Sequence, residues 1–200
     1  MFGLHKTHKP ALIVAGLGNP EKKYLHTRHN AGFLFLSALA DRFGCQIKKK
    51  QFNSFTGVWH QQGKDILLMK PQTFMNLSGT SIRSAMKKYG LTAHAVIVAH
   101  DDMDIAVGRV KFSYDRSSAG HKGIESIIEN IGTKAFYRIR IGIGKPDRAY
   151  EKTDYVLSEF SEQEMQMLGR LFDKIIDGLR MFINGDRQKA MESVNGIKGG

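Results

Sequence analysis

His29 stands ten residues past Asn19, in a segment that follows the first apolar run of the chain. Leu12 to Ala15, within the apolar run from Ala11, reads as a buried strand, then come Gly16-Leu17-Gly18-Asn19-Pro20 and Thr27-Arg28-His29-Asn30. A strand end delivers polar side chains to a pocket mouth. Imidazole is the side chain best poised to move protons near neutral pH. Carboxamides can meet a developing oxyanion without adding charge. The pattern reads as a hydrolytic site. It does not read as a dinucleotide loop, because the third glycine of that fingerprint is replaced by Glu21, which would repel a pyrophosphate. No Gly-Lys-Ser/Thr phosphate loop occurs.

Three more polar clusters follow predicted elements: Pro71 to Asn76, His100 to Asp104, and Gly120-His121-Lys122-Gly123. If they converge where strands end, a base, a carboxylate and amide donors meet, which are the parts an ester hydrolase needs. Each also has a structural reading. His29 and Asn76 could cap the helices after them, and the Asp residues could be turn formers. Asp101, Asp102 and Asp104 could hold Mg²⁺ for a phosphoesterase, a reading that leaves His29 unused. His26 and His29 lack a third ligand at a recognisable spacing, so no metal and no cofactor is expected.

The elements that must position these groups alternate between strand and helix. Helical spacing runs from Phe33 to Phe43 with a stop at Gly44, through Ile82, Met86 and Tyr89 to Gly90, and from His121 to Ile131 before Gly132. Phe52–Trp59 and Asp65–Met69 read as strands around a Gln62-Gly63 turn; Ala95–Ala99, Arg109–Ser113 and Tyr137–Ile143 are further strands. Ser161 and Glu164 form a capping-box pattern before a long amphipathic helix that stops at Gly185, and a short helix reaches Val194. The expectation is a single three-layer α/β domain, a twisted mixed sheet flanked by helices, over residues 11–195. Residues 1–10 are expected to be a flexible arm and 196–200 a flexible tail.

Thirty Lys and Arg against nineteen Asp and Glu give a net charge of +11. That excess favours a polyanionic partner and salt-dependent binding. One cysteine excludes a disulfide framework, no apolar stretch is long enough for a membrane span, and a cytoplasmic location is the default.

Gly16 to Tyr24 with Thr27 to Gly32, Lys70 to Gly79, Ala99 to Asp104, Ser118 to Gly123 and Phe136 to Pro146 together resemble the bacterial peptidyl-tRNA hydrolase family, in its order and spacing over most of the chain. The resemblance implies a monomeric, metal-independent esterase whose partner is peptidyl-tRNA, gripped at its acceptor stem and CCA end. It implies His29 as catalytic base, Asp101 as its orienting carboxylate, and Asn19 and Asn76 as groups that position water, peptide or oxyanion. Tyr24, Phe74, Met75, Asn76, His121 and Lys122 would bind substrate; Lys111, Lys122 and Arg140 would contact tRNA. Two positions depart from the family pattern. Lys122 stands where Asn is usual, bringing a charge that repels an imidazolium, and Ser113 stands where some members carry Lys. A non-catalytic RNA-binding relative is the alternative that Lys122 leaves open.

Overall fold

A computed structural model describes residues 9–146 and 152–197. Residues 1–8 of the expected arm and 198–200 of the expected tail lie outside the described residues. The seven strands are β1 (Leu12–Gly16), β2 (Lys49–Gln51), β3 (Ser54–Gln61), β4 (Lys64–Pro71), β5 (Val96–Asp102), β6 (Val110–Tyr114) and β7 (Tyr137–Gly142). They form one sheet in the order β2-β3-β4-β1-β5-β7-β6. The centre is parallel, β4-β1-β5-β7, while β2, β3 and β6 run antiparallel to their neighbours. Strands buried on both faces explain why β1 and β5 read as unbroken apolar runs.

Helices α1 (Ala31–Arg42), α2 (Ser78–Tyr89), α3 (Lys122–Ile131), α4 (Lys152–Leu157), α5 (Glu162–Ile183) and α6 (Arg187–Asn195) complete the fold. One core joins Val14, Leu68, Ile97 and Ile139 to Phe35 and Leu39 of α1 and to Ile175, Leu179 and Val194 of α5 and α6. The other joins Ile13, Leu67 and Val98 to Ile82 of α2 and Ile124 and Ile127 of α3. The three expected layers are therefore present. Glycine C-caps at Gly90 and Gly132 adopt positive φ of 58° and 74°, and Ser161 with Glu164 forms the capping box.

Two elements depart from the sequence reading. The strand expected from Phe52 begins at Ser54, because Phe52 and Asn53 take positive φ (54° and 48°) and make a two-residue hairpin turn to the unforeseen strand β2. The six-residue α4 was also not foreseen.

Gly16 and Gly32 set the docking of α1. A Cβ on Gly16 would lie 2.2 Å from the Gly32 carbonyl oxygen, and one on Gly32 would lie 2.3 Å from the Ala99 carbonyl oxygen. Only bare backbones let the start of α1 press against the ends of β1 and β5. Leu17 N–H donates to the Ala99 carbonyl at 2.9 Å, and Phe33 N–H to that of Leu17 at 3.2 Å. This contact brings the residues just before α1 over the end of β5.

Candidate functional site

His29 occupies the short 3-10 turn Arg28–Asn30 that leads into α1. Asp101 is the penultimate residue of β5, so the carboxylate sits on a rigid strand. Their contact is direct: His29 Nδ1 lies 2.9 Å from Asp101 Oδ1. His121 Nε2 reaches the same oxygen at 3.0 Å. Its tautomer is set by the helix that follows, since His121 Nδ1 accepts from Gly123 N–H and Ile124 N–H as the N-cap of α3. The proton must then be on Nε2, donating to Asp101. His29 likewise donates through Nδ1 and leaves Nε2 uncommitted. The ring centroids of His29 and His121 are 5.2 Å apart.

The charges follow from this geometry. Burial opposes ionisation of Asp101, but the His29 and His121 rings overcome it and hold the carboxyl well below its usual range. Burial also disfavours the His29 imidazolium. Asp101's charge and hydrogen bond outweigh that, and the Lys122 ammonium takes part of the gain back, so the ring ends above the ordinary imidazole value. The repulsion expected from Lys122 is thus real but outweighed. His100, next to Asp101 on β5, packs its ring against His121 with centroids 4.7 Å apart, and burial together with His121 pushes its pKa well below the usual imidazole range. Its Nδ1 lies 2.7 Å from the Asp101 carbonyl oxygen, and its Nε2 is buried without a partner.

Backbone and side chains pin His29 from both sides. Asn30 is fully buried and spends its carboxamide on Asn19, accepting from Asn19 N–H at 2.7 Å and donating to the Asn19 carbonyl at 3.0 Å. Arg28 makes a two-pronged pair with Glu164 at 2.9 Å on each side, donates to Ser158 Oγ at 3.2 Å and to the Ile143 carbonyl at 3.3 Å, and lies over the rings of Tyr155 and Phe160. A bridge between Thr27 and Glu159 adds backbone support. Arg28 therefore ties the base-bearing turn to α4 and the start of α5. Arg28→Ala should cost about 2–3 kcal/mol, less than a fully buried pair because both side chains keep some exposure. Arg28 contacts hold the Glu164 pKa below its ordinary 4.5 against the opposing effect of burial. The pair's contribution is present above that value and fades as pH falls through the depressed one. The melting-temperature gap between wild type and variant should accordingly narrow, without closing, as pH falls below about 4.5, because the Arg28 contacts to Ser158, Ile143, Tyr155 and Phe160 do not depend on the Glu164 charge.

A cleft of about 450 Å³ lies at this sheet edge, lined by His29, His100, Asp101, Asp102, His121 and Lys122, with Lys152, Val156 and Leu157 of α4 on a further wall. Of the residues named from sequence, His29, Asp101, Asp102, Asp104, His121 and Lys122 share this cleft. Asn19 and Asn76 do not line it: Asn19 is half-buried beside it, and Asn76 is exposed on the turn Met75–Leu77. Neither Asn76 nor His29 caps a helix through its side chain. Met75 reaches the His121 side, since a Cβ on Gly123 would meet Met75 Sδ at 2.6 Å and His121 Cε1 at 3.1 Å. Tyr24 is half-buried under Lys23, and Phe74 is 71% exposed. Lys111 is exposed on the edge strand β6, opposite Arg140 in register. Arg140 is not free, because its Nε donates to Asp102 Oδ2 at 2.7 Å.

The third ligand that spacing did not supply does reach His29 through the tertiary fold. Ligand atoms of His29, Asp101 and His121 all lie within 4.8 Å of one another. Both rings, however, already spend a nitrogen on Asp101, and the other His121 nitrogen caps α3. Asp102 and Asp104 are paired with Arg140 and Lys145, which removes the motive for an Asp-rich Mg²⁺ site. Arg28, Asn30 and His100 stood in the quoted polar segments, but the bonds they make, and α4 itself, escaped the sequence reading. The signal for Asn30 was a polar residue at the start of an apolar helix.

Fold and cleft together define a three-layer α/β protein with an imidazole–carboxylate pair at the carboxyl edge of its sheet. Residues 13–199 match the family model for peptidyl-tRNA hydrolase. The peptidyl-tRNA hydrolase of Geotalea uraniireducens (strain Rf4) is 45% identical over 183 residues, covering 92% of this chain and 95% of that one. That of Caldicellulosiruptor bescii is 43% identical over 184 residues, 92% and 96% of the two chains. The crystal structure of peptidyl-tRNA hydrolase from Acinetobacter baumannii superposes with a TM-score of 0.90 at 31% identity, covering 96% of this chain and 98% of the other. This chain belongs to the peptidyl-tRNA hydrolase family. No helix among the described residues is long and apolar enough to cross a membrane.

Proposed function

We propose that this protein, as a peptidyl-tRNA hydrolase, cleaves the ester joining a peptide or N-blocked amino acid to the 3′ ribose of tRNA, with His29 as general base. The single observation that carries the residue roles is the 2.9 Å contact of His29 Nδ1 with Asp101 Oδ1, which leaves Nε2 free at a solvent-filled cleft. Nε2 takes a proton from water as the water oxygen bonds to the ester carbonyl carbon. Asp101 stabilises the imidazolium that forms, and His121 holds Asp101 from the other side. Collapse of the tetrahedral intermediate breaks the bond to the ribose oxygen, which leaves with the proton from Nε2. Products are the free acid and tRNA with its 3′-hydroxyl restored.

Asn30 fixes the backbone of Asn19, so the Asn19 carboxamide is presented from a held position beside the cleft. Asn19 and Asn76 are assigned to peptide, water or oxyanion contact, and Tyr24, Phe74 and Met75 to the path of the peptide. His121 joins the catalytic group as a positioning residue in addition to its substrate-binding role. Lys111 and Lys122 are assigned to tRNA contact at the acceptor stem and CCA end; Arg140 joins them only as part of its pair with Asp102. The protein acts as a cytoplasmic monomer without a metal or cofactor. Release of tRNA from N-acetylaminoacyl-tRNA, measured with and without EDTA, tests the whole reading. Turnover that persists in EDTA is expected; no release, or release only with added divalent metal, overturns it.

A further inference from the structure

The cleft contains three carboxylates, and each is committed inside the protein. Asp101 accepts from two imidazoles, Asp102 Oδ2 accepts from Arg140, and Asp104 Oδ1 accepts from Lys145 at 2.6 Å. Two lysines also line it, Lys122 at the first position of α3 and Lys152 at the first position of α4. Neither has an ion-pair or hydrogen-bond partner among the described residues. The cleft therefore has two cations left over once its internal pairs are closed. Their charges reach into the site from both walls: Lys122 acts on His29 and Lys152 on Asp104. A lysine at the first turn of a ten-residue helix also opposes the helix dipole, a cost that a bound anion would reverse.

We propose that Lys122 and Lys152 form a subsite for the phosphate that links the 3′-terminal nucleoside of the substrate to its neighbour. This rests on the esterase reading above and names a substrate contact within it. The ester is on the 2′ or 3′ side of the terminal ribose and the phosphate is on the 5′ side of the same sugar. An ester carbonyl held at His29 therefore places that phosphate one sugar away, within the same cleft. Lys152 was not foreseen from sequence, because α4 itself was not.

The test compares two small esters, 3′-O-(N-acetylaminoacyl)adenosine and the same compound carrying a 5′-methylphosphate. Wild type should favour the phosphorylated ester in kcat/KM. Lys122→Met and Lys152→Met should each reduce that preference about fivefold, the upper end for an exposed charge pair. Lys122→Arg and Lys152→Arg should retain it. Calorimetric Kd values for adenosine and adenosine 5′-methylphosphate read the same preference without turnover. A preference unchanged in both Met variants, or an equal loss for both esters, overturns the subsite. Phosphate preference in binding that responds to the lysines, with neither ester cleaved by wild type, supports the subsite and refutes the esterase reading instead.

Discussion

His29→Ala should lower kcat and kcat/KM for N-acetylaminoacyl-tRNA by about 10²–10⁴-fold while the Kd for uncharged tRNA stays unmoved. General-base catalysis contributes on that scale, and no other uncommitted imidazole lines the cleft among the described residues. His121 cannot substitute, because Nδ1 caps α3 and Nε2 carries the proton given to Asp101. His100 cannot, because its remaining nitrogen is buried. An equal fall in kcat and kcat/KM marks loss of an interaction made only in the transition state. Loss of tRNA binding in parallel would show that His29 holds the fold or the RNA and is not the base.

The same variant has a stability signature with a defined sign. Asp101 raises the His29 pKa in the folded state against burial. A group raised on folding contributes stability that is fully present below its unfolded value and fades as pH rises through the folded one. The melting-temperature gap between wild type and His29→Ala should therefore be largest below pH 6.5 and shrink on the alkaline side.

Much of the frame was legible in the sequence because burial leaves a local trace. Leu12–Ala15 and most of Ala95–Ala99 read as strands since both faces are covered, and Gly44, Gly90 and Gly132 read as stops since the chain turns left-handed there. His29 and Asp101 were legible through motif resemblance, whereas their contact is a product of Gly16 and Gly32 letting two backbones touch. What stayed hidden was tertiary. Phe52 and Asn53 turn the chain without a glycine, so a strand pattern ran through them. The six residues of α4 are too few for a helical period, and α4 meets the base-bearing turn through Arg28, which lies over Tyr155 and bonds Ser158 far along the chain. The resemblance assigns Arg140 to tRNA contact, and its pairing with Asp102 across two strands leaves no trace in either segment. The double duty of His121 needs both a helix start and a strand end, and no single segment contains both.

Asp101→Asn separates charge from geometry. The Asn side chain keeps one carbonyl oxygen that can accept from both His29 Nδ1–H and His121 Nε2–H, so both tautomers and the cap on α3 can survive. What is lost is the negative charge that favours the His29 imidazolium. Burial and the Lys122 ammonium are then opposed only by the retained hydrogen bond, so the His29 pKa should drop. The acid limb of the kcat/KM profile should move to lower pH, and the plateau rate should fall by about 10²–10⁴-fold, since the imidazolium formed in the transition state has no counter-charge. Each unit of lost pKa corresponds to about 1.4 kcal/mol less stabilisation of the charged ring. Lys122→Met should move the same limb the opposite way, because it removes a cation that depresses His29. An acid limb that ignores both substitutions would show that the titrating base is another group, and the His29–Asp101 contact would then be a structural pair.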